Sequence, residues 1–472
     1  MSEAARRGRH VGTHDETRGS GSFGGHAQDP LRLLRHLPDT PRKAALAALC
    51  EVDRGAPVQA ALSRVLDAMD LEVSPRRQAT DLLYTYLRME IRVRHVLAGL
   101  LPRPGKLPPL FLSLLSLAVS SLLFQEHAPA HAVVDGAVRD TRAQFGRGLD
   151  RVCNGVLRAA QRLGSAPHTR DFYRAKEDRD PLSSLFRFYS LPEPIGRLWV
   201  AEHGPEIAET FMIRSLARPS ACLRVNARRA GAATLADELA SRGGQRLGDL
   251  ACGGGPALSM GVLFPEGAGH LDRAFLSSLR CAGRISWQSA GSQLALDRLG
   301  VTRVDGPLWD ACAGFGGKTT ALLEQGIDVS MASDMSWQRL SSLPAECERL
   351  GLWAPSLFLA DASRPPLSHV DGCVLLDVPC SGLGVLARRP DIRRRPFDPL
   401  AHARVQEAVL EAAARLVRPG AAVFYVTCTL SSRENGAMTR AASRFGLELV
   451  DEWQTPPDMP IEGMYAARLR RR

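Results

Sequence analysis

No two of the ten cysteines stand in a CxxC pair, which removes the zinc knuckle and the thioredoxin-type redox motif from consideration and leaves no metal site to expect. A chain of 472 residues also has no need of disulfide staples, so free thiols in a reducing, cytoplasmic setting are expected. Lysine is scarce: only Lys43, Lys106, Lys176 and Lys318 occur among 60 basic residues, so arginine supplies 56 of them. No apolar run is long enough to cross a bilayer. The longest, LFLSLLSLAVSSLLF from Leu110 to Phe124, falls short of about 20 residues, contains four serines and predicts a buried helix rather than a membrane anchor. The first thirty residues lack the apolar core of a secretory signal and read as a polar, Gly-rich disordered tail.

What is present is an ordinary globular composition, 45% hydrophobic, with enough chain for about three folded units. That composition excludes collagen, coiled-coil rods and wholly disordered chains. The net charge of +10 fits a polyanionic partner, and equally a codon bias toward arginine spread over a solvated surface.

Apolar residues recur at three- and four-residue intervals between Leu31 and Leu163, as in Leu82, Leu83, Tyr86 and Leu87, predicting an all-α unit over 31–163. The polar stretch after Gly164 predicts a linker over 164–190. Residues 191–299 mix a helix near Thr234 to Arg242 with β-like pieces such as ACLRVNAR, and read as a small α+β unit. From 300 to 472 short apolar runs alternate with helical stretches, predicting an α/β, Rossmann-like unit with a mostly parallel sheet covered on both faces.

In such sheets ligands collect beyond the carboxyl ends of the strands. Asp310, Asp334, Asp361, Asp377, Cys380 and Cys428 all fall at or just after predicted strand ends. The segment DACAGFGGKTT begins with Asp310 and runs through Cys312, Ala313, Gly314, Phe315, Gly316, Gly317 and Lys318 into a helix start, where glycine permits close backbone approach and free N–H groups face a ligand. It is no Walker P-loop, because that spacing needs glycine at Cys312. DLACGGGP, Asp249 to Pro256, looks similar but follows no strand and reads as a loop. Asp334, some twenty residues on, stands where doubly wound folds place a carboxylate on ribose hydroxyls, and Asp361 lines the neighbouring base pocket.

Two further segments, DVPCSGLGVLARRPDIRRR and YVTCTLSSREN, each present a cysteine at a strand end beside that crevice. A thiolate in an electropositive site is a capable nucleophile, and the five arginines between Arg388 and Arg395 are expected both to lower a thiol pKa and to hold a phosphate backbone. The chemistry that two thiols permit is methylation of a pyrimidine at carbon-5. Thiolate addition at carbon-6 makes carbon-5 nucleophilic, and loss of the carbon-5 proton then expels the thiol. Asp377 is placed to meet the ring at N3. Spacing alone does not say which cysteine attacks.

These motifs resemble, in the same order, those of the S-adenosylmethionine-dependent RNA cytosine-5 methyltransferases, the Sun/RsmB family. WQSAGSQ, LRVN and VCNGVLR are similar to the segments that lead into its catalytic domain, open its preceding subdomain and close its NusB-like RNA-binding domain. The resemblance implies Cys428 as the nucleophile and Cys380 as the thiol assisting release, with Asp377 against the target base. It implies S-adenosylmethionine held by the Asp310 to Lys318 loop, Asp334, Arg339, Asp361 and Asp377, and 16S ribosomal RNA as the partner. An RNA-binding assembly factor without catalysis and the same chemistry on transfer RNA are the alternatives. The chain departs from the family pattern at Gly314-Phe315, where Ala-Pro is usual, and at Ser289, Arg393 and Arg433.

Overall fold

The structure is a computed structural model describing residues 29–472 apart from 127, 177, 251–255, 266 and 302–305. The expected tail therefore lies outside the described residues up to 28, and the Asp249 to Pro256 loop is described only at its two ends. Among the described residues no helix is long and apolar enough to cross a membrane.

The helical periodicity of the first third produces the helices Pro41–Asp53, Val58–Ala68, Val73–Leu100, Pro109–Phe124, Ala130–Phe145 and Leu149–Arg162. Leu46, Leu49, Leu83, Leu87, Phe111 and Leu115 meet in their common core, each at most 2% exposed. Prolines punctuate the unit where a missing N–H costs nothing: Pro41 and Pro109 sit in first helical turns, and Thr40 caps the former by accepting the Lys43 N–H at 3.3 Å.

Residues 164–190 are not a bare linker. Tyr173 and Phe186 are fully buried, the helix Pro181–Phe188 forms there, and Arg187 donates to the Tyr173 carbonyl at 2.9 Å. Polarity suggested a connector because exposed charges such as Arg170, Asp171 and Arg174 surround the aromatic anchors. Next comes a 24-residue helix, Glu193–Leu216, broken at Gly204 (φ 78°) before Pro205, where the proline removes a helix donor.

The middle unit carries a four-stranded antiparallel sheet of β1 (Ala221–Val225), β2 (Gln245–Arg246), β3 (Gly261–Phe264) and β4 (Ile285–Trp287), in the order β2-β3-β1-β4. The last unit holds seven strands: β5 (Leu308–Asp310), β6 (Val329–Asp334), β7 (Ser356–Leu359), β8 (Cys373–Asp377), β9 (Ala422–Thr427), β10 (Leu447–Gln454) and β11 (Tyr465–Arg471). Their order is β10-β11-β9-β8-β5-β6-β7, with β5 to β9 parallel and a β10–β11 hairpin added antiparallel to β9. The chain moves outward from β5 through β6 to β7 and returns to β8 on the other side of β5, so a crevice opens at the carboxyl ends of β5 and β8. After β6 come two short helices, Trp337–Leu340 and Leu343–Leu350, with Pro344 in the first turn of the second. After β9 the helix Gly436–Ala441 runs into a 3₁₀ turn, Ala442–Phe445.

Candidate active site

At the end of β5 the Asp310 carboxyl is fully buried and accepts the Thr319 hydroxyl at 2.6 Å, while its Oδ1 has no hydrogen-bond partner. Burial pushes its pKa up to about 7, against the opposing pull of the Thr319 bond. The following loop turns on Gly314 (φ 57°) and Gly316 (φ 78°), and a Cβ on Gly316 would stand 2.3 Å from Leu343 Cδ1. Within it Cys312 remains a thiol, its pKa raised by burial and by the nearby carboxylates of Asp310, Asp377 and Asp334, and Ala313 packs beneath. Phe315 projects outward, 67% exposed.

Asp334, ending β6, ties this loop down. Its Oδ2 accepts the Gly314 N–H at 2.9 Å and its Oδ1 accepts the Ser336 N–H and the Arg339 guanidinium, both at 2.8 Å. Asp361, beyond β7, is exposed and accepts the N–H and hydroxyl of Ser363. These residues therefore ring the crevice.

Gly317 opens the helix Gly317–Glu324, and Lys318 beside it donates to Asp377 at the end of β8 at 2.6 Å. Burial opposes the ammonium charge, but Asp377 outweighs it and Lys318 stays protonated with a raised pKa. Beside this pair the two cysteines meet. Cys380 Sγ and Cys428 Sγ are 3.4 Å apart, and the Cys428 N–H points at Cys380 Sγ at 3.3 Å. Both are half-buried. The hydrogen bond between them holds the Cys428 thiol below its ordinary range and pushes Cys380 far above, with burial adding to the latter. Lys318 favours the Cys428 thiolate, but burial and the Asp377 carboxylate act against it, so the bond from Cys380 is what lowers that thiol.

The arginine run does something other than expected. Arg393 is buried, donating to the carbonyls of Ser190, Leu386 and Ser215. Arg394 pairs with Asp53 at 2.6 Å and Glu90 at 3.1 Å on the helical unit. Arg389 and Arg395 share Asp391, and Arg388 pairs with Glu462. Of the run expected to grip phosphate, Arg394 alone pairs with the helical unit, the others are engaged by Asp391, Glu462 and backbone carbonyls elsewhere in the chain, and Arg389 also sets its charge on Cys428.

Glu434, Gln406 and Arg224 belong to the site although the sequence did not single them out. Glu434 is buried and joins both cysteine loops, accepting the Ser381 N–H at 2.9 Å and Gln406 Nε2 at 3.0 Å. Arg224 on β1 forks onto Glu324 at 2.7 and 2.9 Å and reaches the Gly317 carbonyl at 3.2 Å, fastening the small sheet to the helix that carries Lys318. An arginine inside the strand-like LRVN was the available signal. Among the described residues no group of three or more His, Cys, Asp or Glu is placed to hold a metal ion.

Residues 302–449 match the family model described as 16S rRNA methyltransferase RsmB/F, and residues 39–162 match the NusB family. The Thermus thermophilus ribosomal RNA small subunit methyltransferase B is 30% identical, over 92% of this chain and 98% of its own length. The Pseudomonas syringae protein of that name is 31% identical, over 88% and 90%. The chain belongs to the ribosomal RNA small subunit methyltransferase B family. A Bacillus subtilis relative, named as a probable member, is 29% identical over 85% of this chain. The crystal structure of PH0851, 21% identical with a TM-score of 0.72, covers 92% of this chain and 99% of its own and shares the fold.

The cofactor of this family member is S-adenosylmethionine. The crevice suits it: an unpartnered buried carboxylate oxygen on Asp310, a loop without side chains at Gly316 and Gly317, and exposed apolar groups at Phe315 and Met335 fit a ligand with both charged and apolar parts.

Proposed function

We propose that the chain methylates carbon-5 of a cytosine in small-subunit ribosomal RNA through a covalent bond between Cys428 and carbon-6. One observation carries this: two thiols 48 residues apart in sequence stand 3.4 Å apart beside the Lys318–Asp377 pair, at the carboxyl ends of β8 and β9. The names of the relatives supply the RNA class.

The Asp310 to Lys318 loop, Asp334, Arg339, Asp361 and Asp377 hold the cofactor side of the crevice, and bound S-adenosylmethionine supplies an electrophilic methyl group. A cytosine flipped from structured RNA meets Asp377 at its N3 edge, with Lys318 fixing that carboxylate. Cys428, as thiolate, bonds to carbon-6, and the displaced pair of ring electrons makes carbon-5 the nucleophile that takes the methyl group. With the Cys428 charge gone, Cys380 gives its proton to solvent. Its sulfur then accepts the carbon-5 proton, the C–H electrons restore the 5,6 double bond, and the C–S electrons return to Cys428. One proton leaves per turnover.

Incubation with labelled S-adenosylmethionine and small-subunit RNA tests the chemistry. Cys428→Ala is expected to give neither methylation nor adduct, and Cys380→Ala to leave protein covalently attached to RNA on a denaturing gel. Methylation by Cys428→Ala at the wild-type rate overturns the assignment. Bisulfite maps of ribosomal and transfer RNA from wild-type and deletion strains test the substrate, and a loss confined to transfer RNA would replace it.

A further inference from the structure

Among the described residues, the Cys380 and Cys428 sulfurs are hydrogen-bonded by no side chain except each other, so something else must set their spacing. Cys428 follows β9 directly, and its carbonyl accepts the Gly384 N–H at 3.0 Å. Cys380 lies three residues beyond β8 in an irregular loop and depends on that loop for its place. The residues immediately after the two cysteines, Ser381 and Thr429, are joined hydroxyl to hydroxyl at 2.7 Å. Glu434 underlies that junction, accepting from the Ser381 backbone and hydroxyl. Gln406, from the helix Ala401–Leu416, divides its Nε2 between Glu434 and the Pro379 carbonyl, both at 3.0 Å, bracketing Cys380 from the other side. The carboxylate is itself fixed from behind, because Tyr425 donates to the Glu434 carbonyl at 2.7 Å and Asn435 donates to the Thr429 carbonyl at 3.1 Å.

We propose that Glu434 is a positioning residue for product release: with Gln406 it holds the loop of Cys380 so that this sulfur reaches the carbon-5 proton of the methylated adduct. The inference rests on the two-thiol chemistry proposed above. Glu434 is 1% exposed and its carboxylate faces protein donors, closed off from the crevice. Its Oε2 accepts both the Ser381 N–H and Gln406 Nε2 while its Oε1 meets the Ser381 hydroxyl, so a carboxamide can keep its oxygen at the first place and turn its NH₂ to a hydroxyl that accepts, whereas leucine removes the acceptor that Ser381 and Gln406 share. Cys428 and Lys318 are held by β9 and by the Gly317–Glu324 helix, so attack and methyl transfer survive the change. Release is the step that fails: the carbon-5 proton finds no base, the C–S bond to Cys428 does not break, and enzyme accumulates as a methylated covalent adduct.

The test compares Glu434→Leu, Gln406→Met, Cys380→Ala and wild type, each as the full chain with small-subunit RNA and S-adenosylmethionine. The expected result is at least a tenfold loss of steady-state turnover in Glu434→Leu, with adduct accumulating on denaturing gels as in Cys380→Ala and cofactor affinity by calorimetry within twofold of wild type. Gln406→Met is expected to show the same adduct more weakly. A chain that merely misfolds forms no adduct, so accumulation separates positioning from loss of structure. If Cys380→Ala traps RNA while neither Glu434→Leu nor Gln406→Met enriches the adduct, the role of Glu434 is overturned and the two-thiol chemistry stands. If Cys380→Ala does not trap RNA, the chemistry itself falls and the inference with it.

Discussion

Replacing Arg224 by leucine isolates a carboxylate. The side chains of Arg224 and Glu324 are 4% and 2% exposed, and Glu324 accepts two hydrogen bonds from this guanidinium. Stripping one partner from a buried ion pair costs about 3–5 kcal/mol, because the remaining charge stays out of water, whereas an ordinary hydrogen bond contributes only about 1 kcal/mol. The same substitution frees the Gly317 carbonyl and Thr320 hydroxyl, both at 3.2 Å from Arg224, so the loss concentrates on the helix carrying Lys318. For a unit of 150–250 residues, each kcal/mol moves the melting temperature by about 2–4 °C, which places the expected drop at roughly 6–20 °C. Scanning calorimetry of the full chain, with S-adenosylmethionine added to identify the catalytic-unit transition, measures it. Arg224→Leu with Glu324→Leu removes both charges and is expected to recover at least about 2 kcal/mol of that loss. A drop under 2 °C in the single variant, or a double variant no better than the single, refutes the reasoning.

Asp310 gives a pH dependence. Its carboxyl titrates near 7 when folded and near about 3.9 when unfolded, so the folded chain keeps a proton that the unfolded chain has released. The stability that this one carboxyl contributes is complete below about pH 4 and is lost as pH rises toward 7; urea midpoints should carry that slope in wild type and lack it in Asp310→Asn, and equal slopes reject it. Arg394→Ala cuts the pairs to Asp53 and Glu90 and is expected to speed hydrogen exchange in Val73–Leu100 and Pro390–Arg394 together. Unchanged protection in both segments would show that the pairs do not hold the units to each other.

The strand ends were readable because each combines a short apolar run with an abrupt polar stop, as CVLLD and AAVFYVT do, and the structure puts Cys380 beside Cys428. The arginine run was misread because a charge string does not disclose its partners: Asp53 and Glu90 lie more than 300 residues earlier. The β10–β11 hairpin went unseen, since LELVDEWQ and YAARLRR alternate weakly and carry charge at the sheet edge. Glu434 was passed over for the departure at Arg433, although only its place beneath Ser381 gives it meaning.

The broken helix Glu193–Leu216 leaves a debt that synthesis settles late. Its Phe211 and Trp199 share a core with Leu383, Leu386 and Leu430, and His203 bonds the Leu430 carbonyl from 227 positions upstream. As the chain emerges from the ribosome, that apolar face waits uncovered until the last quarter has been made. Between the making of Leu216 and of Leu430 the nascent protein therefore carries an open apolar face, and a truncation before Leu430 exposes a sticky surface as well as removing the loop that follows Cys428.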